Sequence, residues 1–260
     1  MNYEQKPPIF VVSTGRSGSM MLAKVLGLHP EICSFHEPLP QLNTEAYAKW
    51  NGRITNERIE KNINRKRKNL IIQIQRNGYN YLESSHFCSH LIPLLVKLFN
   101  AKIIHIYRNG YDFVNSGLNR SWYNESGTLQ KSLTIIRRLT LWNVGYQILD
   151  HRLNPPKKLN SKVEKISWLW SEINRIIIRD LNEIPSDQKL SIKLEEFDES
   201  SLKSLSKFIN VEFTCDMVER MIYLSKTKPN KTNKKRVLMN EKEKENFQKI
   251  AAPMLKTLGY

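Results

Sequence analysis

The chain has 260 residues, 40% of them hydrophobic, enough to bury one sizeable α/β core. No apolar run approaches the ~20 residues that a membrane-spanning helix needs. Lysine and arginine number 41 against 25 aspartates and glutamates, a formal net charge of +16. That balance favours anionic partners, whether nucleotides, sulfated or phosphorylated substrates, nucleic acid or a membrane surface, and does not choose among them. Cys33, Cys88 and Cys215 are odd in number, far apart and lack any CxxC pair, so neither a disulfide framework nor a cysteine zinc site is indicated. A reducing, cytoplasmic compartment is expected, and a first strand at Ile9 leaves no room for a signal peptide.

The stretch from Ile9 to Leu26 predicts a buried strand, a Gly-rich turn and a helix. Ile9 to Val12 is a short β-branched and aromatic run of the kind that parallel strands use when both faces are covered. Met20, Met21, Leu22, Val25 and Leu26 then recur at helical spacing. Between the two lie Ser13, Thr14, Gly15, Arg16, Ser17, Gly18 and Ser19. Backbone N–H groups converge in such a turn, and the helix behind it adds its positive end, so the segment reads as an anion cradle, most simply for phosphate. It is not an ATP loop of the Walker type. Two residues rather than four separate Gly15 from Gly18, no lysine follows Gly18, and no Ser or Thr occupies the magnesium position.

After the first helix, which Pro30 is expected to end, Ile32 to Phe35 predicts a short strand with His36 and Glu37 at its C-terminal end. In open α/β sheets that edge is where ligands bind. Residues 41 to 69 read as helical and increasingly basic, with Arg53, Arg58, Lys61, Arg65, Lys66, Arg67 and Lys68 on a solvated face or on a rim that attracts an acidic acceptor. Tyr79 to Phe87 predicts a strand running into a loop, and His90 to Asn100 a helix behind it. Lys102 to Arg108 reads as the central strand, stopped by Asn109-Gly110. A helix is expected from near Asp112, a good N-cap. Arg108 thus sits at a strand's C-terminal edge and Ser116 in the first turns of the next helix, a forked donor and a hydroxyl suited to a second phosphate. His105 falls inside the strand pattern and reads as a core histidine.

Residues 119 to 182 read as a helical cap over the sheet edge within one domain spanning 1–260, with Trp122, Trp142, Trp168 and Trp170 as core and a break at Asn154-Pro155-Pro156. Lys189 to Leu194 predicts another strand, followed by a turn at Glu195-Glu196-Phe197 and a helix over 200–209. Ser225 to Arg236 is rich in lysine and lacks apolar periodicity, as a mobile loop able to close over an anion would. A last helix is expected over roughly 241–258. The fold class is α/β in three layers, with a parallel sheet in the middle.

The ordered set of motifs resembles the sulfotransferases that use 3′-phosphoadenosine 5′-phosphosulfate (PAPS), and the overlap runs through nearly the whole chain. Ser13-Thr14-Gly15-Arg16-Ser17-Gly18-Ser19 is similar to that family's 5′-phosphosulfate loop. Lys102 to Ser116 is similar to its 3′-phosphate motif, and Leu190 to Phe197 with the Leu258-Gly259-Tyr260 ending to its C-terminal part. The resemblance implies a P-loop NTPase-like sulfotransferase fold. It also implies a donor site on Thr14, Gly15, Arg16, Ser17, Gly18, Ser19 and Met20 for the 5′ side, with Arg108 and Ser116 for the 3′-phosphate. The product would be adenosine 3′,5′-bisphosphate, and no metal is implied. In the bacterial, carbohydrate and tyrosylprotein branches the catalytic base is a glutamate similar in position to Glu37. In the cytosolic branch it is a histidine in a Lys-Thr-His strand end, which Ser84-Ser85-His86 matches only in part. The cytosolic Arg-Lys-Gly element has no counterpart, since no glycine lies between Gly145 and Gly259, and Lys231 to Arg236 is its candidate substitute.

The expected reaction is sulfuryl transfer to a hydroxyl or amine of a carbohydrate, lipid or small molecule. Arg16 would stabilise the leaving charge, and Glu37, or else His86, would take the acceptor's proton. No nucleic-acid partner and no transmembrane segment are expected. Two other readings remain at this point: a P-loop nucleotide or small-molecule kinase, disfavoured by the missing Lys-Ser/Thr, and a non-catalytic binder of polyanions or nucleic acid, favoured by the +16 charge.

Overall fold

The computed structural model describes residues 6–52, 54–123, 155–227 and 237–260. Five strands, β1 (Ile9–Val12), β2 (Ile32–His36), β3 (Asn80–Ser84), β4 (Lys102–Tyr107) and β5 (Lys189–Lys193), form one sheet in the order β2-β3-β1-β4-β5. Every neighbouring pair is parallel. The middle of the sheet is β1 rather than β4. Both strands are apolar and have neighbours on each side, so residue composition alone could not rank them.

Parallel pairing brings the C-terminal ends of all five strands to one edge. The order also sets a switch point. From β1 the chain passes through α1 (Ser19–Leu26) to β2 on one side, whereas β4 leads to β5 on the other. The strand order therefore reverses between β1 and β4, and such a switch point is the usual ligand position in an open α/β sheet.

Alternation along β1 fills two layers. Ile9 and Val11 join Leu82, Ile104, Ile106 and Ile192 in a core shared with Leu22, Val25 and Leu26 of α1, Leu202 and Leu205 of α7 (Glu199–Ile209), and Met221 of α8 (Cys215–Lys226). Phe10 points the opposite way, toward Tyr81 and Phe99, with ring centroids 6.0 and 6.4 Å away. α2 (Asn43–Asn51) and α3 (Asn56–Arg76) follow β2, and α4 (Ile92–Phe99) follows a 3-10 turn at His86–His90. Among the described residues, none forms a helix long and apolar enough to cross a membrane.

The chain divides into two compact units, residues 1–109 with 173–234 and residues 110–172 with 235–260. The sheet belongs to the first. In the second are α5 (Gly110–Leu118), the first half of α6 (Lys162–Asn182) and α9 (Glu241–Leu258). Trp170 is fully buried, and its ring would lie 3.0 Å from a Cβ placed on Gly110. Phe113 meets Trp122 edge-on at 5.6 Å, and Tyr111 meets Phe247 at 4.9 Å. Asn115 and Asn119 of α5 accept the backbone N–H groups of Met239 and Val237. Trp142 and the Asn154 end of the expected break lie outside the described residues, as does 228–236 of the basic stretch.

Several local expectations change. α1 ends at Gly27, whose N–H bonds the Ala23 carbonyl, three residues before Pro30. The 41–69 helix is two helices, broken near Gly52, which has a positive φ. α5 begins at Gly110, and Asp112 lies in its first turn instead of capping it. An acidic residue in the first turn still complements the helix's positive end. α8 was not anticipated. Thr214 caps it by accepting the Met217 N–H, and Met217, Val218, Met221, Ile222 and Leu224 recur at helical spacing and pack against the core under the sheet.

Candidate active site

The turn after β1 is built by its own hydroxyls. Ser13 Oγ accepts the Gly15 N–H at 3.0 Å, Thr14 Oγ1 and Ser17 Oγ lie 2.7 Å apart, and Ser17 donates to the Gly15 carbonyl. Ser89 ties the turn to the 86–90 segment through the Ser13 N–H and carbonyl, at 3.0 and 2.8 Å. Gly15, Arg16 and Gly18 all have positive φ, of 74°, 54° and 88°. Such values suit glycine, whereas at Arg16 they carry local strain of the kind that gathers at functional sites. A Cβ on Gly18 would also fall 2.6 Å from Leu194 Cδ1.

No side chain caps α1, so no Ser, Thr, Asp or Asn competes for the N–H groups of its first turn. The arrangement fits a phosphate group: converging backbone donors, a positive helix end and Arg16 beside them. Ser17, expected as a donor to that phosphate, is fully buried and engaged inside the turn as a brace.

Arg108, just past β4, donates from Nη1 to the Arg16 carbonyl at 3.3 Å. The two arginines of the sequence motifs thus meet at the switch point. Ser116 lies on α5, in the second unit.

The register His36↔Ser84 sets β2 and β3 level at the sheet edge, and the next residue, Glu37, donates its N–H to the Ser84 carbonyl at 2.9 Å. Glu37 has a φ of 51°, so it turns sharply out of the strand. Its Oε1 lies 2.7 Å from Nδ1 of His86, whose ring flanks the Gly15 turn. The two side chains are 27% and 21% exposed, reachable from solvent yet held. Glu37 and His86, expected as alternatives for one role, are therefore a hydrogen-bonded pair beside the cradle. Nearby His36 is held below the ordinary histidine range by burial, against the pull of the Glu37 carboxylate. His90 is pushed down to about 4, by burial first and the His86 charge second. His105 is also pushed down to about 4 by burial, which agrees with its reading as a core histidine.

A buried cluster that the sequence reading missed stands behind this pair. Arg67, expected on a solvated face, is fully buried. Its Nε and Nη2 bond both carboxylate oxygens of Glu83, the second at 2.9 Å, and Tyr81 donates to the same carboxylate at 2.7 Å. Burial works against the charge on Arg67, yet Glu83 outweighs it and its pKa is raised. The Tyr81 hydroxyl is raised by burial and by the Glu83 charge. The signal was present in sequence. Ile59, Ile63, Arg67 and Ile71 recur every four residues, and all four lie on the buried stripe of α3.

The sequence matches the model of the Sulfotransferase family over residues 7–161. A search among curated proteins found no match. Among solved structures, the sulfotransferase domain from the curacin biosynthetic pathway is similar at a TM-score of 0.56 and 14% identity, over 98% of each chain. The sulfotransferase domain of the Synechococcus PCC 7002 olefin synthase is similar at 0.52 and 16%, over 100% of this chain and 98% of that one. The mouse sulfotransferase SULT7A1 complexed with PAP is similar at 0.50 and 14%, over 98% and 85%. At these identities the likeness concerns the fold, and it is the parallel five-stranded α/β fold described above. Because the family match covers more than half of the chain, and with it the loops after four of the five strands, the chain belongs to the sulfotransferase family and is a sulfotransferase enzyme.

Proposed function

We propose that the protein transfers a sulfuryl group from PAPS to a hydroxyl or amine of an acceptor. PAPS supplies the sulfuryl group: its sulfur–oxygen bond to the 5′-phosphate breaks as one to the acceptor oxygen or nitrogen forms, and adenosine 3′,5′-bisphosphate leaves. The backbone donors of residues 16–19 and the Arg16 guanidinium hold the 5′-phosphate and offset the charge that grows on it. Arg108 binds the 3′-phosphate. Ser116 is assigned to the same phosphate on the sequence motif alone. The Glu37 carboxylate takes the acceptor's proton while His86 Nδ1–H orients it.

The observation that carries this reading is the Glu37–His86 contact of 2.7 Å next to the Gly15 turn. It sets a proton acceptor beside a phosphate cradle, where the negative charge of the bound phosphate would otherwise disfavour a lone carboxylate. The same contact favours a second assignment, in which His86 takes the proton and Glu37 fixes its tautomer.

Calorimetric titration with adenosine 3′,5′-bisphosphate and with AMP tests the donor assignment. A charge-assisted contact to the 3′-phosphate is worth about 1.5–3 kcal/mol, so the bisphosphate binds ~10–150-fold more tightly. Equal affinities would remove Arg108 from the site. Incubation with PAPS and a panel of sugars, phenols and lipids identifies the acceptor class by release of the bisphosphate.

A further inference from the structure

The loop after Glu37 runs Pro38-Leu39-Pro40-Gln41. Two of its four residues lack an N–H, so the loop has few amide donors with which to anchor itself, and its carbonyls are the natural handle. Consecutive cations of α3 use that handle. Arg67 donates from Nη2 to the Pro38 carbonyl at 3.3 Å and from Nη1 to the Pro40 carbonyl at 2.9 Å. Lys66 donates to the Gln41 carbonyl at 2.8 Å and is paired with Glu45 at 2.7 Å. Nη1 also donates to the Lys66 carbonyl at 3.3 Å, and Nε and Nη2 donate to Glu83, on β3 and three residues before His86. One buried guanidinium thus bonds the backbone that follows Glu37 and the strand that leads into His86.

We infer that Arg67 is a positioning residue, a clamp that holds Glu37 and His86 at hydrogen-bond distance by tying the 38–40 loop to β3. The inference rests on the reading of Glu37 and His86 as the proton-accepting pair. Neutralising Glu83 alone would need one cation of any shape. Serving a carboxylate and two carbonyls in different directions needs the planar fork of arginine, which lysine cannot reproduce. Glu37 sits at positive φ, where the loop must be held from outside to keep the turn.

Two variants test the clamp. Arg67→Lys keeps the charge beside Glu83 and loses the fork. The triple variant Arg67→Met/Tyr81→Phe/Glu83→Leu replaces the buried polar cluster with apolar side chains of similar size, an exchange that leaves folding intact in other buried ion pairs. Thermal melting establishes which variants fold. In folded variants the affinity for adenosine 3′,5′-bisphosphate stays at the wild-type value, because the cradle is untouched, while kcat falls ~10–100-fold from misplacement of the pair. Amide hydrogen exchange rises over residues 36–42 and 84–88 and not over 9–20. A folded variant with kcat within about threefold of wild type overturns the inference, as does unchanged exchange over 36–42. Should wild-type protein show no transfer from PAPS, the functional reading falls, and the exchange pattern alone decides the clamp.

Discussion

Because Glu37 and His86 share a hydrogen bond of 2.7 Å, their substitutions should not act independently. Glu37→Gln keeps the shape of the side chain and cannot accept a proton, and loss of a general base costs ~10²–10⁴ in kcat. His86→Asn removes a charge-assisted contact worth about 1.5–3 kcal/mol, or ~10–150-fold, provided Glu37 is the base. Were the two residues independent, the double variant would lose the product of these factors, ~10³–10⁶. In the pair seen here His86 acts only through Glu37, so the double variant should be no slower than Glu37→Gln. The assay is release of adenosine 3′,5′-bisphosphate from PAPS at saturating acceptor, with calorimetry to confirm that each variant binds the bisphosphate as wild type does. Multiplicative losses would refute the coupled pair. An active Glu37→Gln beside an inactive His86→Asn would keep the pair and move the proton to His86.

Two further predictions concern charge. Arg16→Ala should lower kcat by a larger factor than it weakens bisphosphate binding, because the guanidinium is assigned to charge that grows during transfer; an unchanged kcat would take Arg16 out of the mechanism. His90 and His105 are held down to about 4 in the folded protein, against about 6.5 when unfolded. Between these values the unfolded chain binds more protons, so stability is intact above pH ~6.5 and is lost as pH falls toward ~4. At pH 5 the loss is roughly 2 kcal/mol per histidine. Urea unfolding at pH 7 and pH 5 measures it, and His105→Gln should remove about half of the pH-dependent part. Equal stability at the two pH values would contradict the burial of both imidazoles as neutral groups.

Much was legible before any coordinates, for local reasons. Ile9–Val12, the Gly15–Gly18 turn and α1 are contiguous, and each is specified by near neighbours: β-branched residues for the strand, glycines where φ is positive, apolar spacing for the helix. The last helix is equally local. Asn240 and Glu243 form a reciprocal cap and Gly259 ends it in the left-handed region. The order of the strands was not legible. β1 and β4 are similar apolar runs, and only pairing across more than 90 residues puts β1 in the middle and brings Arg108 to the Arg16 carbonyl. The sequence left Glu37 and His86 as rivals because 49 positions separate them, and the β2–β3 register makes them partners. Arg67 shows the limit most clearly. A basic run in a helix is ordinarily solvated, since burying a guanidinium costs several kcal/mol unless its donors are met. Its spacing from Ile63 and Ile71 hinted at burial, but the carboxylate and carbonyls that make that burial tolerable come from β3 and the 38–40 loop, which only tertiary structure assembles.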